Sequence, residues 1–223
     1  LSMMFNEDLI KEMPADWSDL LKPEFSAAVA LAGDPRASNQ AISGVFAAGL
    51  SAAGGDVEKA GEAGLEFFKE LNANGNFVPV IGKAASFAQG TTPVIIAWDY
   101  NALSWADSLA GNPPAKVIVP ATGVVAGVYV QAISAYAPHP NAAKLWMEYL
   151  YSDEGQLTWL KGYCHPIRFN AMAKAGKIPQ ELLDKLPPAA AYEAAVFPTV
   201  EEQNAYKATI TTKWDEVVGA SVQ

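Results

Sequence analysis

The chain has 223 residues, of which 51% are hydrophobic and 17% charged, and its formal net charge is -9 at pH 7. This composition is too apolar for a disordered chain, and the 15 scattered Lys and Arg residues exclude the basic patch of a nucleic-acid-binding protein. The single cysteine, Cys164, excludes an internal disulfide, and no apolar run approaches the ~20 residues of a membrane-spanning helix.

Apolar spacing and capping residues predict three helices in the first third of the chain. The second of them begins at Ser38 or Asn39, and the third has Asp56 as its N-cap. Gly75 is placed to end the third helix with a left-handed cap. The three helices are expected over residues 17–21, 40–52 and 57–73.

Strands are predicted where β-branched and other apolar residues form continuous runs. The run from Pro93 to Trp98 is apolar throughout, which is typical of a strand covered on both faces in a parallel or mixed sheet. Further strands are predicted over 116–120 and 124–133. Strands that alternate with helices indicate an α/β fold.

Two more helices are predicted in the second half of the chain. A helix over 141–151 carries one apolar stripe, formed by Leu145, Trp146, Tyr149 and Leu150. Thr199 and Glu202 have capping-box spacing and predict a last helix over 200–218. Four tryptophans are expected in the core: Trp105, Trp146, Trp159 and Trp214.

Five segments together carry a family resemblance over roughly residues 1–170. They are MPADWSDLLKP at 13–23, ALAGDP at 30–35, GTTPVIIAWDY at 90–100, VPATG at 119–123 and HPNAAKLWMEYLYSDEGQ at 139–156. In this order and spacing they resemble the type II periplasmic binding proteins of ABC transporters, close to the ferric-iron, polyamine and phosphonate-type branch.

The resemblance implies an α/β fold of two lobes with the ligand bound in the cleft between them. Family members normally carry a further upstream segment, so we expect the first lobe to be incomplete. On this template, residues 1–123 resemble the second lobe and residues 124–170 a returning part of the first lobe. Residues 171–223 are expected to form a C-terminal helical segment that packs across the lobes.

The resemblance also implies a function. The chain is expected to be the periplasmic solute-binding component of an ABC uptake transporter, which captures a small polar or anionic solute and presents it to the transporter permease. We expect no catalytic residue, no cofactor and no metal. The alternative is an enzyme or a ligand-sensing domain on the same fold, because fold alone does not determine function.

The incomplete first lobe has a consequence for the apolar stripe over 141–151. The stripe would lose part of its cover, and exposed apolar surface is costly. We therefore expect this chain to self-associate through residues 124–151 or to expose an apolar patch there.

The turn before the helix at 40–52 is the first candidate ligand site. Free backbone N–H groups and the positive end of the dipole make a helix N-terminus a natural anion site, and Arg36 adds a bidentate donor for a carboxylate or phosphate. Ser38 and Asn39 lie at this helix start. Ser38 is either a ligand contact or a helix cap, and the two roles are compatible.

The second candidate site follows the strand at 93–98, because ligands bind outside the carboxyl ends of strands in open α/β sheets. Asp99 is a candidate partner for a cation or polar ligand, with Trp98 as a stacking face. Tyr100 is followed by Asn101, so the tyrosine pair of ferric-binding relatives is not reproduced. The alternative is a turn capped by Asp99 and Asn101. An anionic solute would suit Arg36, and an amine would suit Asp99. A zwitterion would satisfy both residues.

The third candidate site lies between Tyr163 and Arg168. In the family that the chain resembles, this segment returns near the interlobe cleft, so both side chains are candidate ligand contacts. Cys164 and His165 are adjacent, and consecutive side chains point apart in extended structure, which argues against a nucleophile–base pair. Together with His139 they lack the ligand spacing of a zinc site. We therefore expect Cys164 to be structural.

Overall fold

The computed structural model describes residues 1–223, apart from the side chain of Ala189, and they form two compact units. Unit 1 comprises residues 1–126 and 187–223, and unit 2 comprises residues 127–186. The first boundary lies close to the predicted one at 123. The predicted C-terminal segment 171–223 is split, because only residues 187–223 belong to unit 1. The assignment of these segments to the two lobes of the family remains a prediction.

Unit 1 is built on a four-stranded mixed sheet with the order β2-β3-β1-β4. The strands are β1 (Ser2–Asn6), β2 (Val29–Leu31), β3 (Val94–Ala97) and β4 (Ala115–Ile118). β2 runs parallel to β3, whereas β1 lies antiparallel to both β3 and β4. The predicted strands over 93–98 and 116–120 are confirmed, and β1 and β2 were not predicted.

Helices of unit 1 cover both faces of this sheet: α1 (Asn39–Ala52), α2 (Val57–Ala73), α3 (Ala84–Ala88), α4 (Asp99–Leu109) and α9 (Val200–Val217). The helices of unit 2 are α5 (Pro140–Tyr151), α6 (Asp153–Lys161), α7 (Phe169–Lys174) and α8 (Gln180–Leu183). Short 3₁₀ helices span Trp17–Leu21, Pro23–Phe25 and Ala189–Tyr192. The five predicted helices are confirmed to within one residue at each end, and α3, α4 and α7 were not predicted.

The alternation of side chains along β3 separates two apolar clusters. Val94 and Ile96 face the main core, which α1, α2 and α9 cover. Ile95 and Ala97 face a smaller cluster that also contains Ala102 of α4. Because successive side chains of a strand point to opposite faces, a strand that is apolar throughout needs cover on both sides, and β3 has it.

α1 and α2 approach each other closely through two glycines. A Cβ atom on Gly49 would overlap the carbonyl oxygen of Ala60 in α2, and one on Gly64 would overlap the carbonyl oxygen of Val45 in α1. The two backbones therefore pack at a distance that no larger residue allows. α9 completes this layer with Trp214, which is fully buried.

Unit 2 contains α5 to α8 and a small apolar core of Leu160, Met172 and Ile178. The predicted strand over 124–133 is wrong: Val125 makes an isolated bridge to Val196 within unit 1, and no strand is described between residues 127 and 139. A β-branched pattern shows that a segment suits a sheet, but a strand also needs a partner edge.

The aromatic residues of unit 2 are more exposed than predicted. Trp146 is 58% exposed and Trp159 is 45% exposed, so their placement in the core is wrong, whereas Trp214 of unit 1 is buried as expected. In the predicted stripe of α5, only Leu150 is buried, and Leu145 is 72% exposed. The alternative prediction, an exposed apolar patch in this region, is confirmed.

Candidate functional site

Two helices begin at one edge of the sheet in unit 1. Because β2 and β3 are parallel, with Leu31 opposite Ile96, their carboxyl ends lie at the same edge. α1 follows β2 and α4 follows β3, and the N-cap residues Ser38 and Trp98 make no side-chain capping hydrogen bond. The first N–H groups of a helix carry partial positive charge and lack partners within the helix. The start of α1 therefore offers donors to an acceptor group, whereas the N–H groups of Tyr100, Asn101 and Ala102 at the start of α4 are already bonded to Asp99 and Trp98.

Gln40, in the first turn of α1, joins the ends of the two strands. Its Oε1 accepts hydrogen bonds from the backbone N–H of Trp98 and from Nδ2 of Asn101, both at 2.8 Å. Its Nε2 donates to the carbonyl oxygen of Ala32 at 2.8 Å. The side chain thus fixes α1 and α4 relative to each other. Sequence analysis missed Gln40, because its partners are far away along the chain.

Asp99 is held in place by a phenol from the C-terminal part of unit 1. The hydroxyl of Tyr192 donates to Oδ2 of Asp99 at 2.9 Å, and the backbone N–H of Tyr100 donates to Oδ1 at 2.9 Å. Burial, followed by the negative charge of Asp99, raises the pKa of Tyr192 well above its ordinary value. The phenol therefore stays protonated and donates. Tyr192 was also missed, because nothing in its Pro-rich surroundings indicates this distant partner.

Arg36 is engaged within unit 1. Its Nε and Nη2 bind the two carboxylate oxygens of Asp34 at 2.9 and 3.0 Å, Nη1 binds Asp215 at 3.2 Å, and Nη2 also donates to the carbonyl oxygen of Val222 at 3.2 Å. The guanidinium thus fastens the C-terminal segment and α9 to the turn before α1. Its use as an anion donor stays a prediction, with most of its N–H groups already bonded.

A glycine shapes the same turn. Gly33 has φ +152°, and a Cβ atom there would overlap Oγ of Ser38. The backbone N–H of Ser38 donates to the carbonyl oxygen of Asp34 at 2.7 Å. Ser38 is half-exposed and Asn39 is exposed. The turn therefore presents the start of α1, with Ser38 and Asn39 beside it, at the surface of unit 1.

The residues after β3 are less exposed than their neighbours after β2. Trp98 is only 8% exposed and packs in the main core, so it offers little aromatic face to a ligand. Asp99, Tyr100 and Asn101 are half-buried. The predicted turn is instead the first turn of α4. Their contact with a ligand stays a prediction.

Residues 1–195 match the sequence profile of the family described as bacterial extracellular solute-binding protein. The chain belongs to this family. No curated protein matches it in sequence.

Solved structures of solute-binding proteins show the same fold at low sequence identity. An ABC transporter protein from Clostridium perfringens is 18% identical with a TM-score of 0.67, and the match covers 97% of this chain and 66% of the other. AfuA of Actinobacillus pleuropneumoniae, solved with fructose-6-phosphate, is 18% identical with a TM-score of 0.61, covering 98% and 66%. The spermidine/putrescine substrate-binding protein PotD of Streptococcus pneumoniae is 14% identical with a TM-score of 0.64, covering 97% and 66%.

These comparisons confirm the periplasmic-binding-protein fold that the sequence predicts. The chain spans about 66% of the length of each of these three proteins, in agreement with the expectation of an incomplete lobe. Among the helices that the structure describes, none is long and apolar enough to cross a bilayer.

The other predicted ligand contacts of this solute-binding protein lie in unit 2, where they stabilise its helices. Arg168 donates to the carbonyl oxygen of Tyr151 at 2.6 Å and pairs with Asp153 at 2.7 Å. Tyr163 is buried and ends α6 with φ +65°, and the ammonium of Lys185 lies 5.7 Å from its ring centroid. The ligand roles of both residues stay predictions.

Cys164 and His165 each have a described contact with a residue close by in sequence. Sγ of Cys164 lies 3.7 Å from the carbonyl oxygen of Gly162, and the ring of His165 packs edge-on against Phe169 at 4.9 Å. Within the described residues, no three His, Cys, Asp or Glu side chains are grouped as a metal site would require.

Proposed function

We propose that this protein is the solute-capturing component of an ABC uptake transporter and that it binds its solute at the carboxyl edge of the sheet in unit 1. The observation that carries the proposal is the meeting of two helix starts, those of α1 and α4, beside the anchored carboxylate of Asp99. Family membership supports the same role, because the family is defined by solute binding.

The chemistry of the edge favours a small polar solute that carries an anionic group and an amine. The N–H groups at the start of α1 suit a carboxylate or phosphate. Asp99, whose two carboxylate oxygens accept from the hydroxyl of Tyr192 and the backbone N–H of Tyr100, carries the negative charge that would attract an ammonium. One solved relative is described with fructose-6-phosphate bound, and another is named as the substrate-binding protein of a spermidine/putrescine transporter. These descriptions include solutes of either charge.

We further propose that the protein acts in the periplasm, delivers its solute to a membrane permease and does not transform it. Extracellular location is part of the family description, and the solved relatives include a periplasmic binding protein. Delivery to a permease accords with the relatives described as parts of ABC transporters. The enzymatic alternative rests on Cys164, and turnover of a solute that is lost on Cys164→Ser would favour it.

Calorimetry against a panel of solutes tests the proposal. The panel comprises amino acids, aminophosphonates, sugar phosphates, polyamines and ferric iron. We expect a zwitterion to bind, and Asp99→Asn to weaken it by about tenfold to a hundredfold, as expected for loss of a hydrogen bond to a charged group. Asp8→Asn is the matched control, because Asp8 is an exposed carboxylate outside this edge.

Two results would contradict parts of the proposal. Binding of a simple anion that Asp99→Asn strengthens would overturn the zwitterion but keep the site. Binding that is unaffected by Asp99→Asn and by Gln40→Ala would overturn the site itself.

A further inference from the structure

A tyrosine from the C-terminal part of unit 1 contacts the carboxylate that is proposed to bind the solute. The hydroxyl of Tyr192 donates to Oδ2 of Asp99 at 2.9 Å, which is also the distance at which an ammonium nitrogen binds a carboxylate oxygen. Both side chains are half-buried. Burial and the charge of Asp99 raise the pKa of Tyr192, so its phenol stays protonated at neutral pH. The phenol therefore stands at one of the positions that a solute ammonium would take.

The phenol and an ammonium weaken each other's bond to Asp99. A hydrogen bond to an ionised carboxylate is roughly twice as strong as one between neutral groups, because the acceptor carries a negative charge. An ammonium beside Asp99 neutralises that charge, and a donating phenol reduces it in part. The orientation of Asp99 does not depend on the phenol alone, because the backbone N–H of Tyr100 donates to Oδ1 at 2.9 Å. Competition is therefore the larger effect of Tyr192.

Tyr192 belongs to the segment through which the chain returns from unit 2 to unit 1 at residue 187. The turn at 189–192 is closed by local hydrogen bonds to carbonyl groups three residues earlier, donated by the N–H groups of Ala191, Glu193 and Ala195. Val196 is fixed separately: its N–H donates to the carbonyl oxygen of Val124 at 2.8 Å, and its own carbonyl accepts from Ala126 at 3.0 Å. Release of Tyr192 would therefore loosen the turn and leave the pairing of Val196 intact.

We propose that Tyr192 is a specificity-determining residue of the solute site, because its phenol competes with the solute for Asp99. This inference rests on the proposed function, in which a solute binds Asp99. A neutral hydroxyl would gain no more from Asp99 than the phenol already does, whereas an ammonium adds its charge. Tyr192 thus selects an amine over a hydroxyl. Because a solute that displaces the phenol releases the turn at 189–192, solute affinity and the order of the turn change together.

Calorimetry with Tyr192→Phe tests the competition, because the substitution removes the hydroxyl and keeps the ring. The probes are β-alanine, which carries a carboxylate and an ammonium, and propionate, which lacks the ammonium. We expect Tyr192→Phe to bind β-alanine about threefold to tenfold more tightly than the wild type, as for the loss of one competing hydrogen bond. The affinity for propionate should stay unchanged, whereas damage to the structure of the site would weaken both probes.

Tyr136→Phe is the matched control for this substitution. Tyr136 is 94% exposed and belongs to unit 2, so the loss of its hydroxyl should change neither affinity. Circular dichroism verifies that each variant is folded.

Amide hydrogen exchange tests the contact without any solute. Tyr192→Phe and Asp99→Ala should each speed the exchange of the turn amides of Ala191, Glu193 and Ala195 severalfold, because both remove the bond that holds the turn. The amide of Val196 is the internal control and should keep its protection. Unchanged exchange of the turn amides in both variants would overturn the contact and the proposal with it.

The two experiments separate this inference from the proposed function. Suppose that Asp99→Asn weakens a solute of the panel, but Tyr192→Phe binds β-alanine no more tightly than the wild type, or neither protein binds it. The solute site then stands, and the competition is overturned. Suppose instead that the turn amides exchange faster as expected, but no solute of the panel depends on Asp99. The contact then stands, whereas the proposed site is overturned and the competition with it.

Discussion

Units 1 and 2 contain similar apolar side chains but bury them to different degrees. In unit 1 the sheet, α1, α2 and α9 enclose aromatic residues such as Trp17, Phe46 and Trp214 completely. In unit 2 the described core consists of Leu160, Met172 and Ile178, while the aromatic residues of α5 lie at the surface. The comparison shows that apolar periodicity marks a face that requires cover without specifying what covers it.

Two tryptophans provide the strongest test of this comparison. Trp214 is fully buried, and its indole N–H donates to the carbonyl oxygen of Ala220 at 2.7 Å, so we expect Trp214→Ala to lower the free energy of unfolding by about 3–5 kcal/mol. Trp146→Ala should change it by less than about 0.5 kcal/mol, because the indole of Trp146 is 58% exposed. Urea denaturation followed by circular dichroism measures both.

Trp214→Phe extends this experiment if the alanine variant does not fold, since the smaller ring keeps part of the packing. Equal losses of unfolding free energy for Trp214→Ala and Trp146→Ala would mean that the two tryptophans are buried to a similar degree, contrary to the structure.

Two carboxylates, one in each unit, should contribute to stability to different degrees, and both contributions depend on pH. The hydrogen bond from Arg36 lowers the pKa of Asp34 in unit 1, and the hydrogen bond from Lys177 lowers the pKa of Asp153 in unit 2. A carboxylate with a lowered native pKa stabilises the fold above its ordinary value near 4, and this contribution is lost as the pH falls through the native pKa. Because Asp153 is exposed to solvent, its contribution should be the smaller one.

We therefore expect Asp34→Asn to reduce stability at pH 7 by up to about 1 kcal/mol, with the difference from wild type shrinking below about pH 4. Asp153→Asn should have a weaker effect of the same sign. Denaturation curves between pH 3 and 7 measure the profiles, and a difference that grows on acidification would contradict this explanation.

The smallest expected effect concerns the single cysteine. Sγ of Cys164, in unit 2, lies 3.7 Å from the carbonyl oxygen of Gly162, whereas the residues proposed to bind the solute belong to unit 1. Cys164→Ser should leave solute affinity nearly unchanged in calorimetry. A loss beyond about tenfold, or 1.4 kcal/mol, would show that the thiol takes part in function.

The sequence predicted those parts of the fold that depend on local interactions. Asp56 caps α2 by accepting from the N–H groups of Glu58 and Lys59, and Thr199 closes a capping box at the start of α9. Both are short-range signals. The segment 124–133 was misassigned, because strand formation depends on a partner that is distant in sequence or absent.

The candidate site could be predicted only in part for the same reason. Strand ends and helix starts indicated Ser38, Asp99 and Asn101, and the structure places all three at one edge. Gln40 and Tyr192 act across 61 and 93 residues of sequence, respectively, to reach Asn101 and Asp99. No local pattern carries that information.

The discontinuity of unit 1 also affects its biosynthesis. α9 supplies Trp214 to the main core, yet the ribosome makes it only after the whole of unit 2. Domains generally fold as units when their residues become available during synthesis. The main core of unit 1 therefore cannot be completed until residues 200–217 have left the exit tunnel. Until then the surface that α9 covers stays exposed. During that interval the nascent chain presents an apolar surface that is a natural target for chaperones.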